Sequence, residues 1–253
     1  MILEKITSKY VNYITVKNYD KSKKYVGQDC IIKYLLNKKR LYKDDGEIIY
    51  KNFIEVKHNK DAEEEVDVPK EKILNNIQNE KKFLIDNSLY NLLPNKGKIS
   101  LRTQISQSLK VIREYLFDSN LILIGDIDYS FLSNNLVNIY KKQEDFDFYK
   151  YKAVILDPYG DDVLNDKDLE RYDLFILGGI VDVDLNWQYA TKYLYRNIDL
   201  PHKRIELYRS IKNVPDRINI LIKILLDSIY LNIPLEKSII INSPKKFIRR
   251  YIQ

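Results

Sequence analysis

From residue 82 onward, short apolar runs alternate with segments of helical period, and this alternation limits the fold more than any other feature. The runs "KFLID" (82–86), "LILIGD" (121–126), "AVIL" (153–156) and "LFILGG" (174–179) have the length of buried strands. Strands separated by helices are typical of a mostly parallel sheet with helices on both faces. The sequence therefore predicts an α/β fold. The predicted helices are 99–117, a weaker one over 131–142, and 214–231; further short strands are predicted at 204–207 and 238–242.

The first 82 residues lack this alternation and form a second predicted region. The runs "NYITVKNY" (12–19), "CIIKYLL" (30–36) and "EIIYKNFIEV" (47–56) resemble strands, and Asp45-Gly46 is a hairpin turn signal. The polar, acidic segment 59–72 is predicted to be a boundary, and a short helix is expected to start at Pro69 within it. We predict a small, basic, β-rich or mixed module over 1–82. The main domain is then 83–253, with a basic tail over about 233–253.

Positive charge is concentrated at both ends of the sequence. The net charge is +6, but residues 1–60 hold 14 Lys and Arg against 7 Asp and Glu, and residues 203–253 hold 11 against 4. Residues 83–202 are acidic, with 13 Lys and Arg against 18 Asp and Glu. Basic ends around an acidic centre favour arms that bind a polyanion, although a generally lysine-rich surface would give the same pattern.

Several classes of protein are disfavoured by what the sequence lacks. With one cysteine and two histidines, the sequence offers no internal disulfide and no ordinary Cys/His zinc site. It has neither the Gly-x-Gly-x-x-Gly nor the Walker phosphate loop, and no Gly-x-Ser-x-Gly elbow. The amino terminus does not resemble a signal peptide, and no apolar run is long enough for a membrane span. We expect a soluble, cytoplasmic protein.

Ligands of open parallel sheets bind beyond the carboxyl ends of the strands. These ends hold Asp86, Asp126, the loop 157–162 and the segment 178–182. Two adjacent glycines, Gly178 and Gly179, are notable in a sequence with only 7. They permit backbone torsions or close approaches that other residues exclude, so they indicate either a ligand site or a tight bend against a helix.

Four segments, in this order, resemble one known family. "FLIDNSLYNLLPNKGKISLRTQI", "AVILDPYGDDVL", "LFILGGIVD" and "LPHKRIEL…NVPDRINILIKIL" are similar to motifs of the SPOUT-type tRNA methyltransferases that act on N1 of the purine at position 9. The resemblance covers about residues 82–250 and is greatest for an archaeal, adenine-9 type. It implies a trefoil-knotted site for S-adenosylmethionine, an exception to the general absence of knots. The first 80 residues contain no motif that resembles this family.

The resemblance also implies roles for individual residues. Asp182 would lie beside the transferred methyl group and the target N1, in a pocket that three further residues line: Asp86, Gln104 and Asp216. The cofactor-binding residues implied are Leu156, Asp157 and Pro158 in a first loop, Gly178, Gly179, Ile180 and Val181 in a second, and Leu200 and Leu207 in a third. The basic clusters would bind tRNA through Lys38, Lys39, Arg40, Lys43, Lys245, Lys246, Arg249 and Arg250.

Each of these residues also has a plain structural interpretation. Asp86 could cap the turn after its strand, Gln104 could be an exposed helix residue, and Asp216 fits the N-cap of the following helix. The basic clusters could be solvated faces. No metal is expected.

Guanine and adenine make different chemical demands at N1. Guanine N1 carries a proton, which a general base must remove, whereas methylated adenine becomes a cation that carboxylates stabilise. Val183 and Asp184 follow Asp182, and Asp216 stands where guanine-modifying relatives often have Asn. This surplus of carboxylates favours N1-methyladenosine, with dual specificity left open.

The expected protein is thus an S-adenosylmethionine-dependent tRNA methyltransferase. It is expected to act as a monomer, with no protein partner and no membrane, and abundant Ile and Lys favour a thermophilic source. The alternative is a non-catalytic RNA-binding protein on a knotted scaffold. An unrelated nucleotide-binding α/β enzyme is disfavoured by the missing phosphate loops.

Overall fold

The computed structural model describes residues 1–181, 187 and 189–244. Contacts divide the chain into two units. The first comprises residues 1–80, 112–120 and 134–136, and the second comprises 81–111, 121–133 and 137–253, of which only the described residues are considered. No helix of this described part is both long and apolar enough to cross a membrane.

The first unit is built around a small mixed sheet in the order β1-β3-β2. Strand β3 pairs in parallel with β1 and antiparallel with β2, so β2 and β3 form a hairpin over residues 47–58. One sheet face is buried through Ile14, Val16 and Val56. The elements are α1 (Ile2–Thr7), β1 (Tyr13–Val16), α2 (Val26–Leu35), β2 (Glu47–Lys51), β3 (Glu55–His58) and α3 (Lys70–Ile77).

Two predictions for this unit are wrong and one is off by a single residue. The apolar run 30–36 lies in helix α2, because Cys30, Ile31 and Leu35 share a buried helical face. The hairpin turn lies at 52–54 and not at Asp45-Gly46. Helix α3 begins at Lys70, with Pro69 as its N-cap residue.

The second unit contains a seven-stranded sheet in the order β6-β5-β4-β9-β7-β10-β8, and all of its pairings are parallel. The four predicted strands β4, β5, β7 and β9 are confirmed, and almost every residue in them is buried. The strands are β4 (Lys82–Asp86), β5 (Leu121–Ile124), β6 (Asn138–Tyr140), β7 (Ala153–Leu156), β8 (Asp162–Val163), β9 (Leu174–Gly178) and β10 (His202–Arg204).

The helices of this unit are α4 (Asn95–Tyr115, whose last turn is grouped with the first unit), α5 (Asp166–Arg171), α6 (Ala190–Leu194), α7 (Ile218–Leu231) and α8 (Leu235–Asn242). One core cluster packs Leu84, Ile122, Ile155 and Ile176 from the four central strands against Tyr195. The predicted α/β class with a mostly parallel sheet is confirmed.

Two predicted elements of this unit are wrong and one is displaced. Residues 131–142 form no helix but contain β6, and residues 238–242 belong to α8 instead of a strand. The short strand expected at 204–207 is β10, which ends at Arg204. A short apolar run is compatible with a strand or a helix, and its packing determines which of the two forms. In α8, Ser238 and Ile239 are buried on one side of the helix while Ile241 is 56% exposed.

Candidate functional site

A cavity of about 500 Å³ opens at the carboxyl end of β7. This is the edge at which parallel sheets bind ligands, and the volume lies within the range of small-molecule sites. Its walls come from the segment that ends β7, the segment after β10 and the start of α7. The lining residues are Leu156, Asp157, Pro158, Ile205, Ile211, Lys212, Val214, Pro215, Asp216, Arg217, Ile220, Leu221 and Pro244.

Asp157 joins two of these walls. Its side chain is almost fully buried; Oδ1 accepts a hydrogen bond from the Tyr159 backbone N–H at 3.0 Å, and Oδ2 lies 3.0 Å from His202 Nδ1. The Lys203 carbonyl accepts a further bond from the Asp157 N–H at 3.0 Å. The predicted first cofactor loop is therefore tied to β10 by both side chain and backbone.

Asp216 lines the same cavity and is exposed. It does not cap α7, which corrects that alternative: the helix begins at Ile218, with Arg217 in the N-cap position and no capping bond from its side chain. The Ile218 N–H instead donates to Gln104 Oε1 at 2.9 Å. The Asp216 carboxylate is therefore placed on the wall of the cavity and is not used by the helix terminus.

Gln104 is buried, at 8% exposure, so its interpretation as an exposed helix residue is wrong. Besides accepting from Ile218, its Nε2 lies 3.3 Å from Ser100 Oγ. Gln104 satisfies one of the orphan N–H groups at the start of α7 and so fixes the helix that supplies Ile220 and Leu221 to the cavity.

Asp86 ends β4 as a fully buried carboxylate with four donors. Oδ1 accepts from the Ser88 N–H at 2.9 Å and the Ser88 hydroxyl at 2.6 Å. Oδ2 accepts from Gln143 Nε2 at 2.6 Å and the Tyr195 hydroxyl at 2.7 Å. Burial, reinforced by the charge of Asp86, raises the pKa of Tyr195 well above its ordinary value, so the phenol remains a donor.

The same residue binds the glycine pair through its backbone. The Asp86 carbonyl accepts from the Gly179 N–H at 2.7 Å. Asp86 therefore contacts both Gly179 and Tyr195, which flank the segment that contains Asp182. Asp86 also caps its own turn, as the structural interpretation expects, through its bonds to Ser88.

Close approach explains the second glycine. A Cβ at Gly179 would lie 2.4 Å from Asn87 Oδ1 and 2.7 Å from the Asp86 carbonyl oxygen. Its φ does not lie in the left-handed region; among the described glycines only Gly125 does, at +136°. Gly179 is thus required because any side chain there would overlap Asn87 Oδ1 and the Asp86 carbonyl at the end of β4.

The other predicted cofactor residues have varied surroundings. Gly178 ends β9, and the Ile180 side chain lies beside it. Val181 is half-buried. Leu200 packs against the core cluster, and Leu207 is buried and bridged to Ser210. None of these residues is among those that line the described cavity, so their contact with a cofactor stays a prediction.

The predicted catalytic Asp182, with Val183 and Asp184, lies outside the described residues. So do the four predicted RNA-binding residues of the tail: Lys245, Lys246, Arg249 and Arg250. Among the described residues, no group of three or more metal-ligating side chains is placed to hold a metal ion.

In the first unit, Lys38, Lys39 and Arg40 of the basic cluster border an open cavity of about 670 Å³. Arg40 pairs with Glu65 at 2.5 Å, and Lys43 pairs with Glu64. Lys39 is half-buried and donates to the Asn18 carbonyl, and burial lowers its pKa. The acidic segment therefore neutralises part of this cluster, which also gains Lys70 from α3. RNA binding by Lys38, Lys39, Arg40 and Lys43 stays a prediction.

Sequence reasoning missed Gln143 and Tyr195. They bind Asp86 across 57 and 109 residues of sequence, and neither lies in a motif. A tyrosine within a mixed polar segment gives no sign of being fully buried. The only feature that could have predicted these two partners is the need of a buried Asp86 carboxylate for hydrogen-bond donors.

No family model matches the chain. Two relatives do. A tRNA (adenine(9)-N1)-methyltransferase of Sulfolobus acidocaldarius is 37% identical over 162 residues, which are 63% of this chain and 53% of the relative. A tRNA (guanine(9)-/adenine(9)-N1)-methyltransferase of Thermococcus kodakarensis is 29% identical over 147 residues, 52% of this chain and 38% of the relative. The chain thus spans about half or less of these relatives.

A solved structure matches nearly the whole chain. Trm10 of Sulfolobus acidocaldarius in complex with S-adenosylhomocysteine superposes with a TM-score of 0.73 at 27% identity, over 97% of this chain and 84% of that one. The fold is that of the SPOUT-type methyltransferases. The chain is similar in sequence and in fold to the Trm10 tRNA methyltransferases, which confirms the predicted resemblance.

Proposed function

We propose that the protein is an S-adenosylmethionine-dependent tRNA methyltransferase that forms N1-methyladenosine at position 9. The observation that carries this proposal is the 500 Å³ cavity, in which the predicted first loop (156–158), the segment after β10 and Asp216 meet. A relative that covers most of this fold binds S-adenosylhomocysteine, and a relative at 37% identity is named for adenine-9 methylation.

The residues that line the cavity fit S-adenosylmethionine. Leu156, Ile211, Val214, Ile220 and Leu221 give apolar walls for an adenine ring. Asp157 and Asp216 place carboxylates near these walls, which suits a ligand that carries a sulfonium and an ammonium group. When bound, the cofactor supplies the methyl group.

The chain's own groups would then favour one base. Adenine N1 already has a lone pair, so the protein need remove no proton and must only stabilise a developing positive charge. Asp182 and Asp216 are the carboxylates proposed for this role, and Asp86 would hold the segment of Asp182 through Gly179 and Tyr195. We further propose that the chain forms a trefoil knot around the cofactor. The enzyme would act in the cytoplasm as a monomer, without a protein partner, and its source would be archaeal and thermophilic.

The test uses two unmodified tRNA transcripts that differ only in A or G at position 9. Labelled S-adenosylmethionine and nucleoside mass analysis should give N1-methyladenosine from the first transcript alone. N1-methylguanosine from the second would overturn the base assignment. No product from either, with the tRNA bound, would favour a non-catalytic RNA-binding protein.

Two variants separate chemistry from cofactor binding. Asp182→Asn should lower turnover by at least about 100-fold while S-adenosylhomocysteine still binds, since electrostatic stabilisation of this kind is worth roughly 2.7–4 kcal/mol. Val214→Trp should fill the cavity and abolish S-adenosylhomocysteine binding in calorimetry. Retained binding by this second variant would place the cofactor elsewhere.

A further inference from the structure

Bulky residues with left-handed backbone occur beside the cavity and nowhere else in the described part of the chain. Six described non-glycine residues have positive φ. Three are asparagines, which tolerate this conformation; the others are Tyr189 (φ +64°), Tyr208 (+53°) and Arg209 (+58°). Strained backbone of this kind persists where a site needs a side chain in one direction.

Tyr208 and Arg209 form the tip of a tight turn. The backbones of Leu207 and Ser210 exchange two hydrogen bonds, of 3.1 and 3.2 Å, so the two residues between them occupy the central turn positions. Turns with positive φ at both positions normally use Asn-Gly. Here they present an exposed tyrosine and an exposed arginine between Ile205 and Ile211, which both line the cavity.

Two more exposed tyrosines are linked to the cavity wall that ends β7. Tyr159 directly follows Pro158 of the cavity wall, and its ring lies 4.4 Å from that of Tyr189, centroid to centroid. Both are exposed, at 37% and 53%, and Tyr208 is 52% exposed. We call Tyr159, Tyr189 and Tyr208 the tyrosine rim. In sequence, Tyr159 directly follows the first predicted cofactor loop, Tyr189 comes after the second, and Tyr208 directly follows Leu207 of the third.

Cations accompany the rim. Arg209 is exposed at the turn, and exposed Lys212 and Arg217 line the cavity. Aromatic faces with nearby Arg and Lys are the chemistry that binds unpaired nucleotides, because the rings stack on bases and the cations contact phosphates. A buried tyrosine would serve packing alone, whereas these three side chains are 37–53% exposed.

We propose that the tyrosine rim stacks on unpaired RNA bases next to the target nucleotide, and that Arg209 contacts the adjoining phosphate. This inference rests on the proposed function, since a base inside the tRNA core must leave its stack to be methylated and its neighbours are then exposed. The rim would hold that opened strand at the mouth of the cavity.

The test measures the affinity of unmodified A9 tRNA for rim variants. Tyr159→Ala, Tyr189→Ala and Tyr208→Ala should each raise the tRNA Kd by about 10-fold, because one base–aromatic stack is lost. Tyr208→Phe should restore affinity since a phenyl ring still stacks. Affinity for S-adenosylhomocysteine should stay within about twofold and would show that each variant is folded. Tyr149→Ala removes a 66% exposed tyrosine outside the rim and should leave the tRNA Kd unchanged.

Salt dependence separates stacking from charge. Arg209→Ala should reduce the slope of log Kd against log salt by about one, whereas the tyrosine variants should leave the slope unchanged. Ultraviolet crosslinking of the wild-type protein to 5-bromouridine-substituted tRNA should label peptides that contain the rim residues. This second measurement needs no variant.

Wild-type tRNA affinity in all three alanine variants, or crosslinks confined to other peptides, would overturn the rim proposal even if methyl transfer is intact. Failure of the proposed function would look different: the wild-type protein would bind tRNA and methylate neither transcript. Loss of tRNA affinity in the rim variants would support RNA stacking in that case too.

Discussion

Glu4 and Asp86 are both fully buried carboxylates, one in each unit, and their donors differ in what they hold together. Glu4 accepts from the Gln28 N–H at 2.8 Å, Asn52 Nδ2 at 3.0 Å and the Tyr50 hydroxyl at 3.1 Å. These donors come from α2 and from the hairpin of the small sheet, so Glu4 joins the structural elements of the first unit.

Asp86 uses the same chemistry beside the candidate site. Its donor Gln143 begins a short 3-10 helix, its donor Tyr195 caps the end of α6, and its carbonyl accepts from Gly179. A buried charge that loses its donors is costly wherever it lies. Burial and full hydrogen bonding therefore do not distinguish a structural carboxylate from one proposed to serve a site; the identity of the segments they join does.

The largest expected effect is that of Asp86→Asn. An amide cannot accept from all four donors, so stability should fall by about 3 kcal/mol. Methyl transfer should fall by at least about 100-fold, with S-adenosylhomocysteine binding retained, since misplacement of a catalytic group is costly. Denaturant unfolding and single-turnover methylation measure the two effects.

Glu4→Gln is the matched control in the other unit. Stability should again fall, by about 2–3 kcal/mol, but single-turnover methylation of the folded protein should match the wild type. Equal loss of methyl transfer in both variants would show that the contrast between the two carboxylates is false.

Gly179→Ala should have the next largest effect. The new methyl group would overlap Asn87 Oδ1 and the Asp86 carbonyl, so the ends of β4 and β9 must separate. We expect a loss of about 2 kcal/mol and a clear fall in methyl transfer. At Gly97 in α4 a Cβ meets atoms no closer than 3.4 Å, so Gly97→Ala should be neutral or stabilising by up to about 1 kcal/mol.

Tyr195→Phe removes one donor and leaves the ring in the core. Loss of a hydrogen bond to a charged group should cost about 1.5 kcal/mol, and the rate of methyl transfer should fall several-fold at unchanged cofactor affinity. Tyr50→Phe removes the equivalent donor from Glu4 and should change stability alone. If Tyr195→Phe methylates at the wild-type rate, Asp86 does not act through this contact.

The smallest expected effect concerns Cys30, which reports on the first unit. Burial raises its pKa from 9.0 to about 11, so the neutral thiol favours the folded state. This contribution is complete below about pH 9 and is lost as the pH rises through 11. Between pH 7 and 9.5, wild type should lose about 0.8 kcal/mol relative to Cys30→Ala. Parallel stability curves for the two proteins would contradict the prediction.

The two units also differ in how far their sequences predict them. The central strands of the second unit are buried on both faces, so their apolar runs are continuous, and β4 and β7 end where predicted, at Asp86 and Leu156. Strands β5 and β9 end two residues and one residue earlier than predicted. In the first unit, 30–36 reads as a strand although Cys30 and Ile31 lie on a helix, because a seven-residue apolar run fits both elements.

The candidate site was predictable only in part. Local motifs indicated Leu156, Asp157, Pro158 and Asp216, which do meet in one cavity. The N-cap role expected of Asp216 fell instead to Gln104, which lies 114 residues away from its partner Ile218. Local capping rules cannot predict a hydrogen-bond partner that comes from a distant helix. The turn at Tyr208 and Arg209 was not predictable either, because turns with positive φ at both central positions normally contain Asn-Gly.

The position of β10 in the sheet has a consequence for assembly. It lies between β7 and β8, although both precede it in sequence, and β8 pairs with β10 alone among the described strands. The two-residue strand β8 has no strand to pair with until β10 is in place. Forming contacts between segments so far apart in sequence is slow. We therefore expect the cavity wall around Asp157 to be completed late in folding, and a ligand that bridges β7 and the segment after β10 to bind only after that step.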